Sequence, residues 1–165
     1  MTKSDLTAFT AAVANNPLIQ PSPLPFGAPV FDKVKTEHFE PAIDWALKRL
    51  QEEVDDIKNN TSLPTFENTI EALEHAGEDL GRVRSLFETL SLSNADDEIR
   101  ALEDIFDGKI TPVLSDIEMD DVLFVKIKAV HDSYDDRNHI NLSPSQLMLL
   151  ENTYKSRVRS GALLD

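Results

Sequence analysis

Four imidazoles could ligate a metal or move a proton in this sequence: His38, His75, His131 and His139. A zinc hydrolase helix needs H-E-x-x-H, which sets two imidazoles one turn apart with a carboxylate beside them to activate water. His38 is followed by Phe39 and His75 by Ala76, and neither has a histidine four residues on. A di-iron bundle needs two Glu-x-x-His pairs. The residues three before the histidines are Lys35, Ala72, Lys128 and Asp136, so no such pair exists. Each histidine therefore reads as a surface or capping residue.

Carboxylates are plentiful but unspecific. Glu52, Glu53, Asp55 and Asp56 lie together on the outer side of a helix, and Asp132, Asp135 and Asp136 cluster before a loop. A calcium loop wants oxygen ligands at alternate positions, Gly at the sixth and Glu at the twelfth. Counting from Asp132, Tyr134 holds the third position, Arg137 the sixth and Ser143 the twelfth, so the segment reads as a solvated turn. Glu71 and His75 are one helical turn apart and read as salt-bridge neighbours. There is no G-x-S-x-G elbow, no S-x-x-K site and no glycine-rich phosphate loop. With no cysteine, thiol catalysis and Cys-ligated metals are excluded. The residues on their own give neither a catalytic site nor a metal site.

Any chemistry would have to be positioned by helices. The 165 residues fit one domain, or one with an arm. Sixteen Lys+Arg against 30 Asp+Glu leave a net charge of -14, which argues against nucleic acid or an anionic membrane as partner. Hydrophobic residues at 41% supply a core, and no apolar run approaches the roughly 20 residues of a membrane span. Leu6 to Val13 is only weakly apolar and follows Asp5, a poor signal peptide. That points to the cytoplasm, with the periplasm as the alternative.

Five of the nine prolines fall between Pro17 and Pro29. Proline fixes φ and removes a donor, so this stretch is an extended arm rather than a helix or a central strand. Leu6, Phe9 and Val13 recur ahead of it at helical spacing. From Thr36 onward apolar residues step by three and four, predicting an all-α antiparallel bundle of five main helices. The first spans about His38–Asn59, with Phe39, Ile43, Ala46, Leu47, Leu50, Val54 and Ile57 inward. The second runs from the cap Thr65 to about Ser91 as one piece, with Gly77 and Gly81 inside it. These glycines read as close approach of another helix, with a kink as the alternative. The third spans about Asp96–Ile117 and should bend near Gly108 and Pro112. The fourth spans about Asp121–Tyr134, and the fifth starts with Ser143 as cap and Pro144 at its first position. Lys155, Arg157 and Arg159 at its end match the helix dipole. Two segments result: an N-terminal segment and Pro-rich arm at 1–35, and a helical domain at 36–165.

Read in order, the segments resemble a known family. Asn16-Pro17-Leu18, Pro25-Phe26-Gly27-Ala28-Pro29, Phe31-Asp32-Lys33-Val34-Lys35 and Glu37-His38-Phe39-x-Pro41-Ala42 resemble the start of M3-family zinc metallopeptidases. The variety is the peptidyl-dipeptidase (dipeptidyl carboxypeptidase) and oligopeptidase A group, related to thimet oligopeptidase. Pro64-Thr65-Phe66-Glu67-Asn68-Thr69-Ile70-x-Ala72-Leu73-Glu74 is the strongest match, and Leu123-Phe124, Lys128-Ala129-Val130 and Leu149-Leu150-Glu151 continue it.

The resemblance implies a non-catalytic N-terminal helical domain of a longer zinc peptidase. Members carry H-E-x-x-H far downstream, so no catalytic residue and no metal ligand transfers to this chain. The fragment itself would not be an enzyme and would hold no cofactor, with Zn2+ expected in the full-length parent. The implied partners are the C-terminal catalytic domain of the same polypeptide and short peptide substrates, this region forming one wall of their channel. Phe26 and Phe31 in the arm, and Trp45 off the main stripe of its helix, are the candidate interdomain contacts. A fragment of this kind should expose one apolar patch larger than a monomer normally shows. The alternative is a stand-alone helical module that binds a protein or peptide between its helices.

Overall fold

A computed structural model describes residues 13–20, 22–93, 97–135 and 142–161. The Leu6–Phe9 part of the expected first turns and His139 lie outside the described residues. All regular elements among the described residues are helical. The helices are α1 (Phe39–Asn59), α2 (Ala72–His75), α3 (Glu78–Ser93), α4 (Asp97–Glu118), α5 (Asp121–Asp135) and α6 (Pro144–Arg159). A π-helical turn, Phe66–Glu71, leads into α2, and short 3-10 turns at Pro25–Gly27, Phe31–Lys33 and Thr36–His38 punctuate the arm. No described helix is long and apolar enough to cross a membrane.

The expected second helix is not continuous. Ala76 leaves the helical region at ψ 129° and Gly77 takes φ +85°, which ends α2 before α3 begins. The kink is the reading that holds, because a positive φ is cheap only for glycine. Gly77 also serves the other reading, since a Cβ there would sit 3.3 Å from Leu50 Cδ1. Gly81 does not, for open space surrounds it. By contrast α4 continues through Gly108 and Pro112 as one element.

The chain divides into two compact units. One comprises Met1–Leu50 and Gly77–Ile110, the other Gln51–Ala76 and Thr111–Asp165. In the first, Phe39, Phe87 and Phe106 form an aromatic cluster. The Phe39 and Phe87 rings meet edge to face at 5.3 Å, and Phe87 and Phe106 lie 4.4 Å apart. Such contacts add about 1 kcal/mol beyond area burial. Leu18 from the arm is buried in the same unit. Lys109 Nζ reaches from α4 to Glu40 Oε1 at 2.8 Å and Asp44 Oδ1 at 2.6 Å on α1.

In the second unit α5 and α6 pack on each other and on the π turn. Leu123, Ile127, Val130 and Leu150 are buried, as their spacing requires. The π turn buries Phe66, Thr69 and Ile70 together. Reciprocal capping starts it: the Thr65 hydroxyl accepts from the Asn68 N–H, and the Thr65 N–H donates to Asn68 Oδ1 at 2.8 Å. Ser143 and Gln146 cap α6 in the same way, with Pro144 at the first position. Asp120 opens α5 by accepting the Leu123 N–H at 2.8 Å and pairs with Lys58 Nζ at 2.7 Å.

Arg157 sits in the last turn of α6, as expected, and makes a further contact that the sequence does not announce. It is buried rather than fanned out at the end of α6. Its guanidinium donates to the Ile117 carbonyl at the end of α4, with Glu118 Oε2 3.5 Å from Nε. Its long stem lets it reach a terminal carbonyl of a neighbouring helix, one that otherwise accepts only the Asp120 N–H at 3.4 Å.

Candidate functional site

The first unit contains a cleft of about 610 Å³ between the arm and α3. The sequence builds it from the arm's inability to form a helix. Pro17, Pro29 and Val30 line one side, and Leu86, Ser85 and Thr89 of α3 line the other. Two residues fix the arm. Asn16 is 1% exposed; its side-chain amide donates to the His38 carbonyl at 2.7 Å and its Oδ1 accepts the Leu18 N–H at 3.0 Å. Arg82 donates to the Leu18 carbonyl and pairs with Asp79 Oδ1 at 2.9 Å. The cleft thus offers apolar walls with one ion pair at its edge. Two of its hydroxyls are tied to backbone, Ser22 Oγ donating to the Ala28 carbonyl and Thr89 Oγ1 to the Ser85 carbonyl at 2.8 Å. It can hold an apolar segment, but no imidazole lines it to work as a base.

Of the candidate contact residues, Phe31 lines this cleft and is 48% exposed. Trp45 is partly buried on α1 and lies apart from the cleft lining. The side chain of Phe26 lies outside those described. Phe31 and Trp45 thus do not share the cleft.

The described histidines are also separate. His38 Nδ1 accepts the Lys35 N–H at 3.0 Å, a capping role as expected. His75 is exposed at the end of α2. His131 is neither a surface nor a capping residue. Its ring stacks on Tyr154 at 4.0 Å, its Nε2 lies 3.2 Å from Glu151 Oε1, and its buried Nδ1 has no hydrogen-bond partner. Lys155 beside Glu151, with a contribution from His131, holds that carboxyl below its ordinary value. Lys128 does the same for Asp132. This cluster was not legible in sequence, although His131 and Glu151 both fall at helical positions next to apolar stripes. Among the described residues no group of three or more His, Asp or Glu side chains is placed to hold a metal ion.

The second unit carries exposed apolar side chains where α5 begins. Met119, Val122 and Val125 are 58%, 52% and 65% exposed, and Leu63, in the loop before the π turn, is 86% exposed.

No family model matches the chain. It is 32% identical over 152 residues to the dipeptidyl carboxypeptidase of Salmonella typhimurium, covering 92% of this chain and 22% of that protein. It is 33% identical over 149 residues to the dipeptidyl carboxypeptidase of Escherichia coli, covering 90% of this chain and 21% of that protein. The chain spans about a fifth of the length of the curated relatives it matches. The resemblance read from the ordered segments thus holds along nearly the whole chain, and the protein is related in sequence to a fifth-length portion of the dipeptidyl carboxypeptidases of the M3 family.

Proposed function

We propose that this chain is the non-catalytic N-terminal helical region of a zinc-dependent peptidyl-dipeptidase or oligopeptidase. It forms one wall of a channel that admits short peptides to a catalytic domain on the same polypeptide. The observation that carries this reading is the 32–33% identity, over nine-tenths of the chain, to a fifth of two dipeptidyl carboxypeptidases. Its arm, residues 1–35, and helical part, 36–165, would act as one scaffold in the cytoplasm, with the periplasm as the alternative.

In this division of labour the Zn2+ belongs to the catalytic domain, where it would polarise the scissile carbonyl and activate water. The side chains described here bind, shape and exclude. The arm fixed by Asn16 and Arg82 supports a wall, and the excess of carboxylates keeps that wall hydrated on its outer side.

The test is dipeptide release from a blocked tetrapeptide in the presence of Zn2+. The 165-residue chain alone should release none. The product of a reading frame that continues into an H-E-x-x-H helix should release dipeptides. A natural product that ends at Asp165 and forms no active complex would overturn the reading in favour of a stand-alone interaction module.

A further inference from the structure

Resting on that reading, we propose that the catalytic domain packs on one surface of the second unit, formed by Leu63, Met119, Val122 and Val125. The helical wheel of α5 places Leu123, Ile127 and Val130 on the buried side and Val122, Val125 and Ala129 on the other, exposed side. Valine is a poor choice for a solvated helix face, because its branched side chain loses rotamer freedom there and gains no burial. Local structure therefore gives no reason for two valines at these positions; a covering partner does.

Leu63 sharpens the case. Its loop is held by side chains on both sides. The Ser62 N–H donates to Asn60 Oδ1 at 2.9 Å, and Asn68 Nδ2 donates to the Leu63 carbonyl at 3.0 Å. Lys126, next to Val125 and one turn from Val122, donates from Nζ to the Asn60 carbonyl at 2.6 Å and ties the loop to α5. An apolar side chain presented outward by a fixed loop is preorganised to enter a pocket, with little entropy left to lose.

Asp121 is exposed beside Val122, but its neighbours are satisfied within the unit. Asp120 is paired with Lys58 at 2.7 Å, and the Lys126 ammonium is spent on a carbonyl. A partner covering these paired groups would not strand them as buried ions. The relatives supply the occupant: about four-fifths of their length has no counterpart in this chain, and on the reading above the catalytic domain lies there.

The experiment places a photo-crosslinking phenylalanine at Val125, and separately at Leu63, in the natural full-length product. Asp104, exposed in the other unit, serves as control. The expected result is an intramolecular crosslink at monomer mass from Val125 and Leu63 to peptides of the H-E-x-x-H-bearing region, with none from Asp104. Crosslinks only at dimer mass would assign the surface to a second copy and overturn the proposal, as would no crosslink from either position. If the natural product carries no H-E-x-x-H region, the functional reading itself fails. If it carries one and Val125 and Leu63 link elsewhere, only this interface fails.

Discussion

Gly77 and Leu50 meet where the chain turns from α2 towards α3. Gly77 holds φ +85°, and a Cβ built on it would stand 3.3 Å from Leu50 Cδ1. Gly77→Ala is strained by its backbone and crowded by its neighbour, and should cost about 1–2 kcal/mol. Gly81→Ala, four residues on, enters open space inside a helix and should stabilise by up to about 1 kcal/mol. Urea unfolding of the two variants should move in opposite directions. Equal shifts would show that the break after Ala76 does not depend on glycine.

Asn16 joins the arm to the turn before α1 through one side-chain hydrogen bond and braces the arm itself through another. Asn16→Ala strips one bond from the His38 carbonyl and leaves the buried Leu18 N–H without its partner, a loss of about 1–2 kcal/mol. The measurement is chemical denaturation combined with limited proteolysis, where cleavage within 17–34 should appear before cleavage elsewhere. Unchanged stability would mean that water replaces the amide.

Asp120 both caps α5 and pairs with Lys58. Burial pushes its carboxyl up, but the Lys58 ammonium and the Leu123 N–H outweigh this and hold it below the ordinary 3.8. A depressed carboxyl contributes stability that is full above its unfolded value and is lost as the pH falls through its folded one. Wild type should therefore lose this contribution as the pH drops below about 4. Asp120→Asn keeps the cap but not the charge. Its stability should be lower near neutrality by about 1 kcal/mol, a gap that closes in acid. A gap that stays constant from pH 7 to pH 3 would show that the charge is irrelevant.

Arg157 bonds the end of α4 from α6. Arg157→Leu should cost about 2 kcal/mol, because the Ile117 carbonyl keeps only a long bond from the Asp120 N–H and Glu118 keeps two serine hydroxyls but loses its cation. Glu118→Gln in the same background should recover part of that loss by removing the unpaired charge. Thermal unfolding of the single and double variants measures the coupling; strict additivity would deny that the two residues interact.

The helices were largely legible because burial imposes a period. Phe39, Ile43, Leu50, Val54 and Ile57 recur at steps that only one face of a helix provides, and all are buried. Thr65 and Ser143 announced their helix starts because hydroxyl caps work through three adjacent residues. The break at Gly77 was harder to read. Local sequence allows Gly to sit in a helix or to end one, and the distant Leu50 side chain is part of what decides. His131 was misread, and the reach of Arg157 missed, for the same reason. Their partners Glu151, Tyr154 and Ile117 lie 20, 23 and 40 residues away, beyond the reach of any local pattern.

The arm also has a consequence for the order of synthesis. Leu18 is held by Arg82, which follows it by 64 residues. The arm leaves the ribosome before α3, so the part of its seat that α3 supplies does not yet exist. For that interval Leu18, buried in the folded unit, lacks that cover. Docking of the arm is thus a late, long-range event, and the nascent chain is most exposed to chaperones and proteases before residue 82 is made.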